Sequence, residues 1–496
     1  MKFTPEQEAI IASDAKTIRV NAFAGTGKSC TLIGYARARS RERQLMVAFN
    51  KSIQLEASER FPSNVKCRTG HSLAWFPHGA QYANTLQPDL KPFHIADSTT
   101  KYTNMMPQDA ARVFDYQVIE TVKSFLVSAD EQIDKTHVAL TNSPREKSYY
   151  SKETIVEAAK HVWANMQAMK LPMVHDGYLK LYQLSRPHLA YDTIMIDEAQ
   201  DTNPVLQSIL QNQTARLIYV GDSHQAIYSF RGAKNAMQII EPEASFYLTG
   251  SFRFGSKVAE TANSILSYKG EKVKLRGLGS ESIIRWKTYE DSRGTAYISR
   301  TNAAIFQRAY EAVDHGVTVA YIGGIKTYRF EIGEDISKLM RGLSNIRNPL
   351  IASFKTYGQF RQYVDDAQDK ELSGWIKVVE EYGGKAFDDA LKRIRSAAIE
   401  YKGPQPNTMV VVTAHRSKGL EFDRVELADN FIDIEEHCGF NDGSDMDQEI
   451  AEELNLLYVA TTRVKKELSI NSSIKGLFKR VPHNNELPAL ASRGDT

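Results

Sequence analysis

The chain has 496 residues, is 42% hydrophobic and 25% charged, and carries a formal net charge of +2. That profile fits a soluble globular protein with a sizeable core, and at about 100–200 residues per domain it allows two to four domains. The three cysteines (Cys30, Cys67, Cys438) are too few and too scattered for a disulfide framework or a zinc site, no stretch approaches the about 18 apolar residues of a membrane span, and the opening MKFTPEQEAI has no signal-peptide character.

The first predicted strand is KTIRVNAF, residues 16–23, with a β-branched, apolar look. It runs into NAFAGTGKS, residues 21–29, and then into SCTLIGYARARSR, residues 29–41, where Leu32, Ile33 and Ala36 have helical spacing. A strand, a glycine-bearing loop and a helix in that order make a phosphate-binding loop. Gly25 and Gly27 permit backbone angles that turn N–H groups inward, Lys28 brings a charge to the β and γ phosphates, and Ser29 offers a hydroxyl to Mg²⁺. The loop opens with Ala22 where the common spelling has glycine; an alanine at a loop entrance suffices if its backbone stays in the β region.

Residues 76–171 read as a mainly helical insertion, since 109–126 carries apolar residues at helical spacing. The next strand, TIMI (193–196), leads into Asp197-Glu198-Ala199-Gln200-Asp201. Carboxylates at the end of a buried strand suit two tasks: Asp197 holds Mg²⁺ and Glu198 acts as general base on the attacking water. An isolated DEAQD is as easily a solvated acidic turn; the phosphate loop upstream favours the chemical reading. A third strand, in 216–233, leads to Gln225, within reach of a γ-phosphate, and to Tyr228, Phe230 and Arg231, a platform for stacking unpaired bases. The basic helix ALKRIRSAAIEYK (390–402) reads equally as a solvated face, and the acidic 432–453 as an exposed loop in which His437 and Cys438 lack metal-ligand spacing.

With these residues in place the sequence resembles the superfamily 1 DNA helicases of the Rep/UvrD/PcrA type. That family writes its phosphate loop A-x-A-G-[ST]-G-K-[ST], which AFAGTGKS matches. FTPEQ (3–7), VAFNKS (47–52), RTGHS (68–72), YLTGSFRF (247–254), TAHRSKGLEFDRV (413–425) and LNLLYVATTRVKKEL (454–468) resemble its further motifs in order. Stretches such as HDGYLKLYQLSRP and SRTNAAIF resemble the F-box DNA helicase branch. The first motif begins at residue 3, which leaves no room for an F-box ahead of it, so a ubiquitin-ligase role is not expected.

The resemblance implies an α/β protein of two RecA-like P-loop NTPase lobes with mainly helical insertions: residues 1–75 with 172–240, and 241–325 with 406–480, interrupted by 76–171 and 326–405 and followed by a tail, 481–496. It implies ATP with Mg²⁺ between the lobes, in contact with Ala22, Gly25, Thr26, Gly27, Lys28 and Ser29. Gln7 is then expected to read the adenine edge, Phe252 to stack on the base, Glu421 to meet the ribose and Gly419 to approach the γ-phosphate. Arg253 and Arg463 are expected to be arginine fingers, which stabilise transition-state charge. Phe49, His71, Tyr228, Phe230, Arg231 and His415 are expected to contact single-stranded DNA; the small net charge is no obstacle, because a local basic track is what counts. The implied activity is ATP-driven 3′→5′ translocation and unwinding at single-strand/duplex junctions, in repair or recombination, with recombinase filaments as a further partner, in the cytoplasm or on a bacterial nucleoid and away from membranes. Two other readings stand beside it: a nucleotide-gated DNA clamp, which the intact set Lys28, Glu198, Gln225, Arg253 and Arg463 argues against, and a small-molecule kinase, which the chain length argues against.

Overall fold

The computed structural model describes residues 2–138, 150–228, 235–367, 369–405, 407–434 and 447–480. The chain divides into two compact units, Met1–Ala22 with Gly27–Leu248, and Phe23–Thr26 with Thr249–Thr496.

In the first unit the strands are β1 (Thr17–Ala22), β2 (Gln44–Ala48), β3 (Val65–Thr69), β4 (Leu86–Gln87), β5 (Met173–Val174), β6 (Thr193–Ile196), β7 (Arg216–Gly221) and β8 (Ala244–Leu248). Six of them form one parallel sheet in the order β3-β2-β6-β7-β1-β8, while β4 and β5 pair with each other. A strand alternates its side chains between faces, and a parallel sheet buries both faces, so neighbouring residues enter different cores. Leu45, Val47, Ile194, Ile196, Leu217 and Tyr219 pack with helices Gln108–Val127 and Lys152–Gln167 through Phe114, Val118, Val122 and Trp163. Met46, Ala48, Met195, Ile218 and Val220 pack on the opposite side with Leu32 and Tyr35 of helix Lys28–Ala38. The helices of 76–171 therefore share one core with the sheet.

One expected boundary is corrected here. The first unit was expected to end at 240, but β8 pairs with β1 from Ile18↔Ala244 to Ala22↔Leu248. The strand in YLTGSFRF belongs to the first sheet, and the change of unit falls between Leu248 and Thr249.

The second unit contains β9 (Gly250–Ser251), β10 (Arg276–Gly277), β11 (Ile283–Arg285), β12 (Ala296–Ser299), β13 (Thr318–Tyr321), β14 (Ala398–Glu400), β15 (Thr408–Thr413), β16 (Phe422–Leu427) and β17 (Val464–Ser469). Seven of these make a parallel sheet in the order β11-β17-β16-β12-β15-β13-β14. The segment 326–405, expected as a short second insertion, packs onto the second sheet. Its helices Glu331–Met340, Lys370–Tyr382 and Gly384–Ala397 share a core with helix Asn302–Asp314, β13 and β15. Phe306 stacks on Phe387 with ring centroids 4.6 Å apart, and β14 joins the edge of the sheet. The apolar stripes of these helices are buried against the sheet's own helices, which takes them out of water. On the basic stretch 390–402 the charges are solvated-face pairs: Arg393 meets Asp314 at 2.7 Å and Arg395 meets Glu334 at 3.1 Å.

Candidate active site

In the first unit β1, β6 and β7 run parallel with Asn21 beside Gly221 and Ile196 beside Tyr219, so Ala22, Asp197 and Asp222 emerge at the same carboxyl edge. Ala22 is the buried last residue of β1 and has no positive φ, which is why alanine serves there. The positive angles fall on Gly25 (φ 73°) and Gly27 (φ 81°), and Thr26 pins the turn by donating its hydroxyl to the Phe23 carbonyl at 2.8 Å. Gly27 caps helix Lys28–Ala38 with no side chain of its own, which leaves the first-turn N–H groups for a ligand's oxygens.

Lys28 places its ammonium 2.8 Å from Glu198 Oε1. Burial works against that charge, but Glu198, Asp197 and Asp222 outweigh it and hold the Lys28 pKa above its usual value. Burial and the adjacent Glu198 push the Asp197 carboxyl well above the ordinary carboxylate range, against the opposing pull of Lys28. Ser29 Oγ lies 3.5 Å from Asp197 Oδ2. A hydroxyl and a desolvated carboxylate are hard oxygen donors, the set that suits Mg²⁺ held with few protein ligands plus phosphate and water. Among the described residues there is no cluster of three or more His, Cys, Asp or Glu side chains able to hold a metal, and His437 and Cys438 lie outside them.

Glu198 adopts a left-handed backbone (φ 53°), an uncommon and mildly strained state for a residue with a Cβ. Its carboxylate is held by Gln200, whose Nε2 donates to Glu198 Oε2 at 2.6 Å and whose Oε1 accepts from the Asp222 N–H at 3.0 Å. Gln225 Nε2 in turn donates to Asp222 Oδ2 at 2.7 Å. Gly221 makes room for this chain: a Cβ there would fall 2.4 Å from Gln200 Oε1.

A groove of about 850 Å³ opens within the same unit and reaches Asp197 and Glu198. Phe49, His71 and Tyr228, three of the expected DNA contacts, all line it. Phe49 and Tyr228 stack at 5.4 Å and 14°. Lys51, Arg68, Trp75, Phe76 and His175 line it too, and His71 Nε2 meets Asp176 Oδ1 at 3.0 Å.

In the second unit Arg253 forms an ion pair with Glu421 at 2.7 Å and donates to the Thr462 carbonyl at 2.8 Å. Arg463 is only 2% exposed, and donates through Nε to the Val459 carbonyl and through its guanidinium to Thr462 Oγ1. Both cations thus gather at the C-terminal end of helix Gln448–Thr461, where the helix dipole favours positive charge.

Residues 3–242 match the UvrD/REP helicase N-terminal domain family, and residues 384–475 match the UvrD-like helicase C-terminal domain family. The chain belongs to the UvrD/Rep helicase family. Among similar proteins, F-box DNA helicase protein 1 of Schizosaccharomyces pombe is 31% identical over 515 aligned positions, which cover 96% of this chain and 58% of that protein. F-box DNA helicase 1 of Gallus gallus is 32% identical, with 96% of this chain and 50% of that protein covered. ATP-dependent DNA helicase PcrA of Staphylococcus epidermidis is 23% identical over 52% of this chain and 39% of its own. The chain spans about half the length of the F-box helicases it matches. Its two parallel sheets with their helices are the α/β lobes of a UvrD-type helicase.

In this UvrD-like chain the remaining expected residues fall as follows. Gln7 is buried, and its Oε1 accepts from the Thr4 N–H as half of a capping box on helix Pro5–Ala12, a T-x-x-Q signal that the reading of FTPEQ as an adenine contact passed over. Phe252 is half exposed, Gly419 has φ 84° and His415 lies in the short helix Ala414–Ser417. Glu421, expected at a ribose, is engaged by Arg253: an exposed carboxylate is the natural counter-charge for a nearby guanidinium. Phe230 and Arg231 lie outside the described residues. Sequence reading missed Gln200, whose place inside DEAQD beside a glycine-ended strand was the available signal, and Phe76, an apolar residue that no helical or strand period buries.

Proposed function

We propose that this protein is an ATP-dependent, single-stranded-DNA translocase and DNA helicase of the UvrD type. The observation that carries the reading is the groove that holds the stacked pair Phe49–Tyr228 at one place and the carboxylates Asp197 and Glu198 at another. A base platform and a hydrolytic centre on one surface suit a motor in which nucleic acid and nucleotide report on each other.

Lys28 gives up Glu198 when phosphate arrives, because a multiply charged anion outcompetes one carboxylate for the ammonium. That frees Glu198 to accept a proton from the attacking water, in the orientation Gln200 sets. Asp197 and Ser29 would hold Mg²⁺, which supplies charge neutralisation on the phosphates when bound. Arg253 and Arg463 are the candidates for stabilising transition-state charge, and Gln225 for sensing the γ-phosphate. His71, His415, Phe49 and Tyr228 are candidates for DNA contact, with affinity coming from phosphates and sequence-tolerant stacking from the rings. The family resemblance supports 3′→5′ travel, action at single-strand/duplex junctions and removal of recombinase filaments, with the chain acting wherever its DNA is, in the cytoplasm or on a nucleoid. No helix among the described residues is long and apolar enough to cross a membrane.

The second reading is a nucleotide-gated clamp with little turnover. The engagement of Arg253 by Glu421 and the burial of Arg463 favour it, since a finger must be released to act. Steady-state ATPase with and without single-stranded DNA separates the two. The motor reading expects strong stimulation in the native chain and its loss, by about 10²–10⁴-fold, in Glu198→Gln. Absence of stimulation with ATP-dependent DNA binding retained would establish the clamp. Duplexes with 3′ and 5′ tails then test direction.

A further inference from the structure

A single exposed aromatic ring is ordinary on a protein surface. Phe76, 80% exposed, is set apart by three features. It lines the same groove as the Phe49–Tyr228 stack. Second, the backbone that presents it departs from the α-helix before it. Phe76 sits in a π-helical turn, Trp75–Gly79, directly after helix Gly70–Ala74. Its neighbour Trp75 turns onto the Tyr178 ring, 5.6 Å away and nearly perpendicular, and Gly79 is small because a Cβ there would lie 2.7 Å from the Trp75 ring and 3.2 Å from Tyr178. One aromatic of the pair is therefore the anchor and the next is the display. Third, exposed Lys51 and Arg68 line the same groove, so cations suited to a phosphate backbone accompany the rings.

We infer that Phe76 is a stacking platform for one unpaired nucleobase, a second step along the groove beyond Phe49 and Tyr228. The inference rests on the reading of this groove as a path for single-stranded DNA. Its occupant is an unpaired base because bases inside a duplex already have both faces covered by their neighbours, and a lone ring offers a π face with no hydrogen-bond readout. The platform is accordingly indifferent to sequence and selective for single strands.

The test uses the full chain, a short fluorescein-labelled single-stranded oligonucleotide and anisotropy titrations of the native protein, Phe76→Ala and Phe76→Tyr. Phe76→Ala is expected to bind about fivefold or more weakly, the fold-change of one lost base stack, and Phe76→Tyr to bind as the native chain does. The dependence of affinity on salt keeps its slope in Phe76→Ala, because a stacking contact releases no counterions. Oligonucleotides with one abasic position, moved along the strand, add the decisive arm. At one position the native chain loses the affinity that Phe76→Ala has already lost, and Phe76→Ala loses nothing further there. Equal binding by native and Phe76→Ala, with DNA-stimulated ATPase intact, overturns the stacking assignment alone and leaves the ring to a protein partner. Failure of the native chain to bind single-stranded DNA at all overturns the helicase reading, and the assignment with it.

Discussion

Gln200→Ala asks whether the hydrogen-bonded chain from Glu198 to Gln225 positions the general base or merely fills space. The Gln200 side chain is 1% exposed, donates to a carboxylate oxygen at 2.6 Å and accepts from a buried backbone N–H at 3.0 Å. A hydrogen bond to a charged group contributes about 1.5–3 kcal/mol and a neutral one about 0.5–1.5, so removing both costs about 2–4 kcal/mol of folding stability. Only the share that orients Glu198 in the transition state appears in the rate. If that share is about half, some 1–2 kcal/mol, kcat falls by about five- to thirtyfold. The assay is steady-state ATPase at saturating single-stranded DNA, paired with urea unfolding of the same preparation. A positioning role predicts kcat and kcat/KM falling together with KM for ATP little changed. Unchanged kcat in a protein that has lost the expected stability would refute the reasoning and make Gln200 a strut for β7.

Two further predictions concern the fold that carries the site. At Gly333 a Cβ would stand 2.6 Å from the Phe387 ring and 2.7 Å from Trp375, so Gly333→Ala overpacks the second core and should lower unfolding stability by about 1–3 kcal/mol in urea titrations; an unchanged midpoint would show that these rings can move aside. Lys180 is buried with its Nζ on the carbonyls of Ser128 and Asp130, and burial lowers its pKa to about 8 against the pull of Asp130 and Glu131. Its ordinary value is about 10.4, so between those limits the unfolded chain binds the extra proton and Lys180's contribution to stability rises with pH. The native chain should therefore gain stability relative to Lys180→Met from about pH 8 to pH 10, and a flat difference would refute the linkage.

The phosphate loop was legible because its chemistry is local: positive φ at Gly25 and Gly27, a lysine at the helix start, and a strand before them are written in nine consecutive residues. The same holds for DEAQD at the end of TIMI, and for the continuous apolar strands that a doubly covered parallel sheet demands. Those features fixed the fold class and half of the candidate site before any contact was known. What only the tertiary structure decided depends on partners far apart in sequence. Leu248 belongs to the first sheet because β8 finds β1, some two hundred residues earlier along the chain, and no local pattern in YLTGSFRF says so. The helices of 326–405 show an amphipathic stripe in sequence, but which core that stripe enters, beside Phe306 and β15, is visible only in the packing. Arg253 meets Glu421 across 168 residues, a counter-charge that neither motif reveals by itself. Phe76 is the sharpest case: in sequence it is one more aromatic after Trp75, and only the turn that packs Trp75 on Tyr178 leaves the Phe76 ring exposed at a groove. Backbone angles and alternation act over a few residues and are read directly; side-chain pairing acts through space, and the chain's order alone does not specify which distant groups come within a few ångströms.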